Sequence, residues 1–392
     1  MAGLRNSTVA VVRCLDYENL HSVKKAVRQA VDFIGGLEMV VSPGDTVLIK
    51  PNLVCAKHYT TGATTNPYVV RALAELCRES GAASIIVGDG AAIGHNTMQA
   101  FEASGLQAAL EGTKYTFVDF GQDEYQYIVN TQAKIFKRLR IPRTFLNANV
   151  VINVPVMKTH DVFGITAGLK NSKGIVHVSD KKRFHKWGLA QSLVDLNHIA
   201  LPELTVIDGT IAMEGNGPAS GDPVGLGIVM AATDTVAADT VACEIMGLAV
   251  EQVEYIKLAA EQGLGCGDID KITVLGEPIA AVRRPFRLNS VNSDALGQMG
   301  ITLLACDACS GCSHTVTTYL TNLQRDNTLH KLQDHTIAYG QSVILPAGFT
   351  GNLIRIGVCT RNLSDAGGIY IPGCPPHPQD INKKLAIDSP QL

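Results

Sequence analysis

The most specific residue spacing lies near the end of the chain. Cys306-Asp-Ala-Cys309-Ser-Gly-Cys312 is a CxxCxxC run directly after a predicted strand. Two-residue spacers let one turning loop aim three thiolates at a common centre, as cubane iron clusters require. Ser310 and Gly311 are small enough for backbone N–H groups to approach cluster sulfides. Zinc also accepts four cysteines, but its sites more often use separated CxxC pairs. The spacing therefore favours a [4Fe–4S] cluster over a structural zinc ion. A fourth ligand must come from elsewhere. Cys374, held among prolines in Ile371-Pro-Gly-Cys-Pro-Pro-His-Pro378, is preferred, and Cys359 with Arg361 nearby is the alternative.

A second constellation is charged. Lys50, Lys158, His160 and Lys170 bring cationic or metal-binding groups to predicted strand ends, and Lys50-Pro51-Asn52 closes a strand in a polar loop. Asp89, Asp208, Glu214, Asp234 and Asp239 supply carboxylates. A pocket with both signs binds a small anionic substrate and moves protons, because neighbouring charges shift each other's pKa values. In that pocket Lys158 or His160 would move protons, with Asp208 and Glu214 as partner carboxylates, while Lys50, Asn52 or Lys170 fixes the anionic group. Gly209, Gly215, Gly217 and Gly221 permit tight turns and close approach to a phosphate or carboxylate.

Each of these residues also has a plainer reading. A lone Asp after a strand is more often a turn or a helix cap than a catalyst. His177, His185 and His198, with Lys181-Lys182-Arg183, read as a solvated polar stretch, although that run would also suit an anionic substrate or an acidic electron-transfer partner. Nothing matches a P-loop or a dinucleotide GxGxxG, so ATP and NAD are not indicated.

The elements that must position these groups follow from apolar runs bounded by turn residues. Val47–Ile49, Ser84–Val87, Tyr115–Val118, Val150–Val154, Thr205–Ile207 and Ile228–Ala231 read as strands, and Pro67 to Arg78 has helical spacing. Alternating strands and helices predict an α/β domain with a mostly parallel sheet, whose sites lie beyond the carboxyl ends of strands. A polar, proline-marked stretch over Gly276–Asn292 marks a break. The expectation is a large α/β domain over 1–280 and a smaller C-terminal α/β iron–sulfur domain over 293–392. In the smaller one Ile301–Leu304, Ser342–Leu345, Leu353–Gly357 and Ile369–Ile371 read as strands and Thr315–Leu323 as a helix.

Composition bounds the function. A chain of 392 residues is long for one core, and 46% hydrophobic with 18% charged residues describes a packed globular protein. A net charge of −3 and the lack of a long Lys/Arg run argue against nucleic acid or an anionic membrane as partner. The first residues lack a signal-peptide core, and no apolar run approaches a bilayer span, so a cytoplasmic protein is expected. Ten cysteines there do not make a disulfide framework. Cys14, Cys55, Cys77, Cys243 and Cys266 read as buried small hydrophobes.

Three resemblances add to this reading. Lys50-Pro-Asn-Leu53, Gly88-Asp-Gly90, Val154-Pro-Val-Met-Lys-Thr-His160, Gly168-Leu-Lys-Asn171 and Asp208 to Pro218 resemble the domain of unknown function 362 family, often described as uncharacterised Fe–S-centre proteins. Many of its members carry a CxxCxxCxxxCP insert, which this chain lacks. Pro372-Gly-Cys-Pro-Pro376 is similar to the cluster loop of the small subunits of NiFe hydrogenases and complex I, which implies a ligand role for Cys374. His160, Gly164, Gly168 and Lys170 resemble, in order and spacing, the lactate racemase segment whose lysine carries a nickel-pincer nucleotide.

The function expected is an iron–sulfur oxidoreductase that passes electrons between a C-terminal [4Fe–4S] cluster and a small anionic substrate or cofactor. A racemase-type isomerase or transferase with a lysine-bound cofactor is one alternative. A non-catalytic electron carrier or assembly factor is the other. A ferredoxin-like or other redox partner suits the first reading, and a homo-oligomer is compatible with all three.

Overall fold

The computed structural model describes residues 7–160, 163–289 and 291–386. It contains two compact units, Met1–Lys181 with Ala190–Leu288 and Lys182–Leu189 with Asn289–Leu392.

Among the described residues the first unit holds twelve strands: β1 (Thr8–Arg13), β2 (Thr46–Lys50), β3 (Ser84–Asp89), β4 (Thr116–Asp119), β5 (Tyr125–Val129), β6 (Arg138–Pro142), β7 (Val150–Asn153), β8 (Val156–His160), β9 (Gly164–Thr166), β10 (Leu204–Glu214), β11 (Asp222–Ala232) and β12 (Thr273–Gly276). Ten of them form one sheet in the order β12-β1-β11-β10-β7-β2-β3-β4, with β8 on β10 and β9 on β8. The pairs β1·β11, β10·β11 and β8·β9 are antiparallel and the rest of this sheet is parallel. The mostly parallel α/β sheet expected from the alternation is therefore present, and the six expected strands of this region all overlap observed ones.

Helices cover the sheet for reasons visible in their sequences. In Leu20–Phe33, Asn19 caps the first turn by accepting from the N–H groups of His21 and Ser22, and Val23, Ala26, Val27, Ala30 and Val31 face inward at helical spacing. Pro67–Glu79 starts with Asn66 as cap and proline at its first position, where the missing N–H costs nothing. Their inward residues share one core with Val47, Ile49, Ile85, Val87, Ile152 and Val206 of the strands. Burying each such side chain contributes roughly 1.5–3 kcal/mol.

One expectation needs correcting here. Gly209 is expected to permit a tight turn, but Asp208–Glu214 is the second half of the 11-residue β10. Gly209 sits within the strand beside a register shift, where a side chain would meet Ile228.

Among its described residues the second unit holds a four-stranded, all-parallel sheet ordered β13-β14-β15-β16, with β13 Thr302–Ala305, β14 His335–Tyr339, β15 Asn352–Ile356 and β16 Ile369–Ile371. The helix Ser310–Arg325 leads from β13 and packs Val316, Tyr319, Leu320 and Leu323 with Ile337, Ile354, Ile356 and Ile371. Ser342–Leu345 is not the strand expected. Val343 turns inward toward Ala338 and Leu353 with Leu345 partly buried beside it, while Ile344 is 82% exposed. The strand in its place is β14, whose His335-Thr336 start hid it from a hydrophobicity pattern.

Candidate functional site

Parallel strands bring the polar strand ends together. Lys50 ends β2 and Asp89 ends its neighbour β3. Their side chains form an ion pair, Nζ to Oδ1 2.7 Å, in a nearly dry setting. Lys50 also donates to the Pro51 carbonyl at 3.1 Å, and the second oxygen of Asp89 accepts from the Leu53 N–H at 2.7 Å. Burial lowers the Lys50 pKa and the carboxylate of Asp89 opposes the fall. The chain passes over this pair at Gly174, where a Cβ would lie 2.1 Å from Asp89 Oδ1 and 2.7 Å from Lys50 Nζ. Any side chain there would have to displace one of the two partners.

Lys158 projects from β8, all five of whose residues are buried. Its own exposure is 0%. The ammonium donates to Asn52 Oδ1 at 2.6 Å, to the Ala63 carbonyl at 2.6 Å and to the Pro218 carbonyl at 3.2 Å. Three acceptors match the three donors of –NH3+, and all three are neutral. Burial pushes the pKa down to about 7; Lys170 and Lys50 add to the fall, while Cys55 and Asp89 oppose it. The result is a desolvated positive charge held by dipoles, which an anion placed nearby would stabilise.

A ladder of side-chain amides ties this lysine to the next segment. Asn52 donates to Asn171 at 2.9 Å, Asn171 donates to Asn153 at 2.8 Å, and Asn153 donates to the Gly168 carbonyl at 2.9 Å. Asp239, fully buried, accepts from the N–H groups of Gly168 and Leu169 at 2.6 and 3.0 Å. Burial raises its pKa to about 7 against those two bonds. Asp239 thus pins the turn that carries Lys170.

Two further lysines join the cluster; the sequence reading left Lys173 unnamed and gave Lys181 an anion-binding role only as the alternative to a solvated stretch. Lys181, placed in a solvated stretch by its neighbours, is buried and donates to the carbonyls of Gly90 and Ala91 at 2.9 and 3.0 Å. Helical period turns it inward while Lys182 and Arg183 face out. Burial lowers its pKa to about 8, with Asp89 opposing and Lys50 assisting. Lys173 keeps some exposure, yet burial of its surroundings and then Lys170 and Lys181 hold its pKa well below the usual lysine value. Asn153 and Asn171 were also missed as a working pair. An asparagine directly after the apolar run Val150-Val-Ile152 was the available signal.

The other expected site residues have partners of their own. Both oxygens of Asp208 are taken, one by the Asn66 N–H at 2.7 Å and one by the N–H and hydroxyl of Thr210. Glu214 faces Arg284 at 3.5 Å and accepts from the Arg287 N–H. Asp234 caps the helix Thr235–Met246 through the Ala237 N–H and also accepts from the Cys266 N–H. Asp234 thus takes the plain cap reading, while Asp208 and Glu214 accept from backbone and side-chain donors around them. His160 is buried at the end of β8, its ring stacked 5.8 Å from that of Phe163.

In the second unit, Cys309 caps the helix Ser310–Arg325 and Cys312 lies buried in its first turn. A hydrogen bond from the Cys312 thiol, together with the N–H groups of Cys312 and Gly311, lowers the Cys309 pKa to about 5 against burial. The same bond, then burial, then the charges of Cys309, Cys374 and Cys359 push Cys312 up. Burial and then Cys309 and Cys359 raise Cys374, while Lys186 and Lys182 oppose. Cys306 instead packs in a separate small cluster with Leu304, Ala338, Val343 and Leu353. Among the described residues, no three His, Cys, Asp or Glu side chains are already arranged to hold a metal ion. Nor, among the described residues, is any helix long and apolar enough to cross a membrane.

Comparison with known proteins bears on the first unit. The family model described as Domain of unknown function (DUF362) matches residues 47–244, which include Lys50, Asp89, Lys158, Lys170, Lys181 and Asp239. Thylakoid-associated protein sll1697 from Synechocystis is 32% identical over 266 residues, covering 66% of this chain and 79% of that protein. Among solved structures, the lactate racemase apoprotein from Thermoanaerobacterium thermosaccharolyticum aligns with TM-score 0.41 at 13% identity, over 63% of this chain and 57% of that one. A Thermotoga maritima protein aligns with TM-score 0.37 at 11% identity over 95% of both chains.

Proposed function

The chain belongs to the DUF362 family, and from that premise we propose that it is a cytoplasmic enzyme acting on a small anionic molecule held by the buried lysines of its first unit. The observation that carries this is Lys158. It is a fully buried ammonium whose three bonds go to neutral oxygens; Lys170 and Lys50 act on it, and Lys173 and Lys181 act in turn with those two. A cluster so rich in desolvated positive charge favours a phosphate or carboxylate.

The residues divide the work. Lys158 and Lys181 stay protonated once an anion neutralises them, because the anion raises both pKa values. Lys170, on the turn held by Asp239, would fix the orientation of the bound group. His160 at the end of β8 would hold or release a proton. The Lys50–Asp89 pair keeps the strand ends in register beneath the ligand.

The proposal includes a [4Fe–4S] cluster on the cysteines of the second unit. Four cysteines of one unit, Cys309, Cys312, Cys359 and Cys374, whose charges act on one another, are a chemically suitable donor set. When bound, such a cluster supplies one-electron chemistry, which makes the enzyme an oxidoreductase with a ferredoxin-like partner.

Calorimetric titration of the purified chain with inorganic phosphate and with acetate tests the lysine site. Binding of at least one is expected, weakened about tenfold or more by Lys158→Gln, the loss of one charge-assisted bond. No binding of either anion, or equal affinity in the variant, would overturn the reading.

A further inference from the structure

We propose that the cluster of the second unit is ligated by Cys309, Cys312, Cys359 and Cys374, and that Cys306 is not a ligand. This deepens the cluster reading above and rests on it.

The strand order is the first ground. Adjacent strands lie about 4.8 Å apart. Cys306 follows the edge strand β13, whereas Cys359 follows the interior strand β15 and Cys374 the opposite edge strand β16. Two and three strand spacings separate them, roughly 10 and 14 Å. The Cys306 backbone is committed to its own edge: its N–H donates to the Tyr339 carbonyl at 3.2 Å and its carbonyl accepts from Ser342 at 3.3 Å.

The other four positions converge through their backbones. Cys309 and Cys312 are three residues apart at the start of one helix, so their side chains share a face. That first turn leans on the Cys374 loop. A Cβ on Gly311 would lie 3.3 Å from Pro375, and the Thr315 hydroxyl donates to the Pro376 carbonyl at 3.2 Å. The Cys359 loop is tied to the same segment, with Gly357 N–H on the Ile371 carbonyl and Val358 N–H on the Gly373 carbonyl, both at 2.9 Å. Gly357, with φ +89°, is the meeting point: a Cβ there would lie 3.0 Å from Cys312 Sγ and 3.7 Å from the Gly373 carbonyl oxygen.

The motif is therefore a CxxC at a helix start, joined by one cysteine from each of two neighbouring loops. The thiols do not yet meet at a point, so cluster insertion must draw them together, as metal binding couples to local folding.

The test is made on the full chain purified without oxygen, or reconstituted with ferrous iron and sulfide. Iron, acid-labile sulfide, absorbance at about 400 nm and the EPR signal after reduction are measured. The wild type is expected to hold about four irons, and Cys306→Ser the same content and signal. Cys359→Ser and Cys374→Ser are each expected to lose at least half the iron or change the EPR signal. Urea midpoints of cluster-free variants and cluster-free wild type separate loss of a ligand from loss of fold. Loss of the cluster in Cys306→Ser with retention in Cys359→Ser overturns the ligand set and leaves the cluster reading standing. Stoichiometric zinc, or no iron after reconstitution, overturns both, while phosphate titration still judges the lysine site by itself.

Discussion

Lys50 and Asp89 close two adjacent parallel strands with an ion pair of 2.7 Å, both side chains almost wholly removed from water. Breaking such a pair from one side leaves an uncompensated buried charge. Asp89→Asn or Lys50→Met is expected to destabilise the protein by about 3–5 kcal/mol. The double variant Lys50→Met/Asp89→Asn should lose less than the sum, because no charge is then stranded. Urea unfolding of the four proteins measures the cycle, and strict additivity would refute the coupling.

Gly174→Ala tests the same pair from above. The added methyl must push apart Asp89 Oδ1 and Lys50 Nζ, 2.1 and 2.7 Å from the new atom. A cost of about 1–3 kcal/mol is expected, as for overpacking elsewhere. Phosphate affinity should fall with it. A variant matching wild type in urea midpoint and in calorimetric titration would place the segment elsewhere.

Anion binding should follow pH with a definite sign. The binding forms of Lys158 and Lys181 are the ammonium ions, and their pKa values lie at about 7 and about 8. Affinity for phosphate is expected to be greatest below pH 7 and to decline as pH rises through 8, after allowance for phosphate's own titration. Binding near pH 7.5 should take up protons, seen as an enthalpy that changes with buffer. Without ligand, the unfolded chain binds more protons than the folded one between about 7 and the ordinary lysine value of 10.5, so this contribution makes stability rise with pH there. Lys158→Gln should flatten both dependences.

Asp239→Ala removes the acceptor of two buried N–H groups, those of Gly168 and Leu169. Orphaning them is expected to cost on the order of 2 kcal/mol. Since Asp239 carries the turn of Lys170, hydrogen exchange at residues 168–171 should quicken more than in the distant helix Leu20–Phe33. Equal exchange in both segments would deny the pinning role.

Much of the site was legible in the sequence. Lys50, Asn52, Lys158 and Lys170 stood at the ends of apolar runs, and residues there must reach the carboxyl edge of a parallel sheet. The alternation of strands and helices likewise determined the α/β class, because periods of two and of 3.6 leave different patterns in the chain. CxxCxxC pointed to the second unit in the same local way.

Tertiary structure alone decided which charges are buried and which thiols are neighbours. Lys181 sits among Lys182 and Arg183 in the sequence, yet helix phase turns it to the Gly90 and Ala91 carbonyls. Asp208 reads along the chain as a candidate catalytic carboxylate, and only the fold shows that its two oxygens accept from Asn66 and Thr210. Cys306 is three residues from Cys309 but strands away from Cys374, whereas Cys359 is distant along the chain and close through β15 and β16. Spacing along a chain sets what one turn can bring together. Strand order sets the rest, since each strand interposed adds about 4.8 Å that a side chain cannot span.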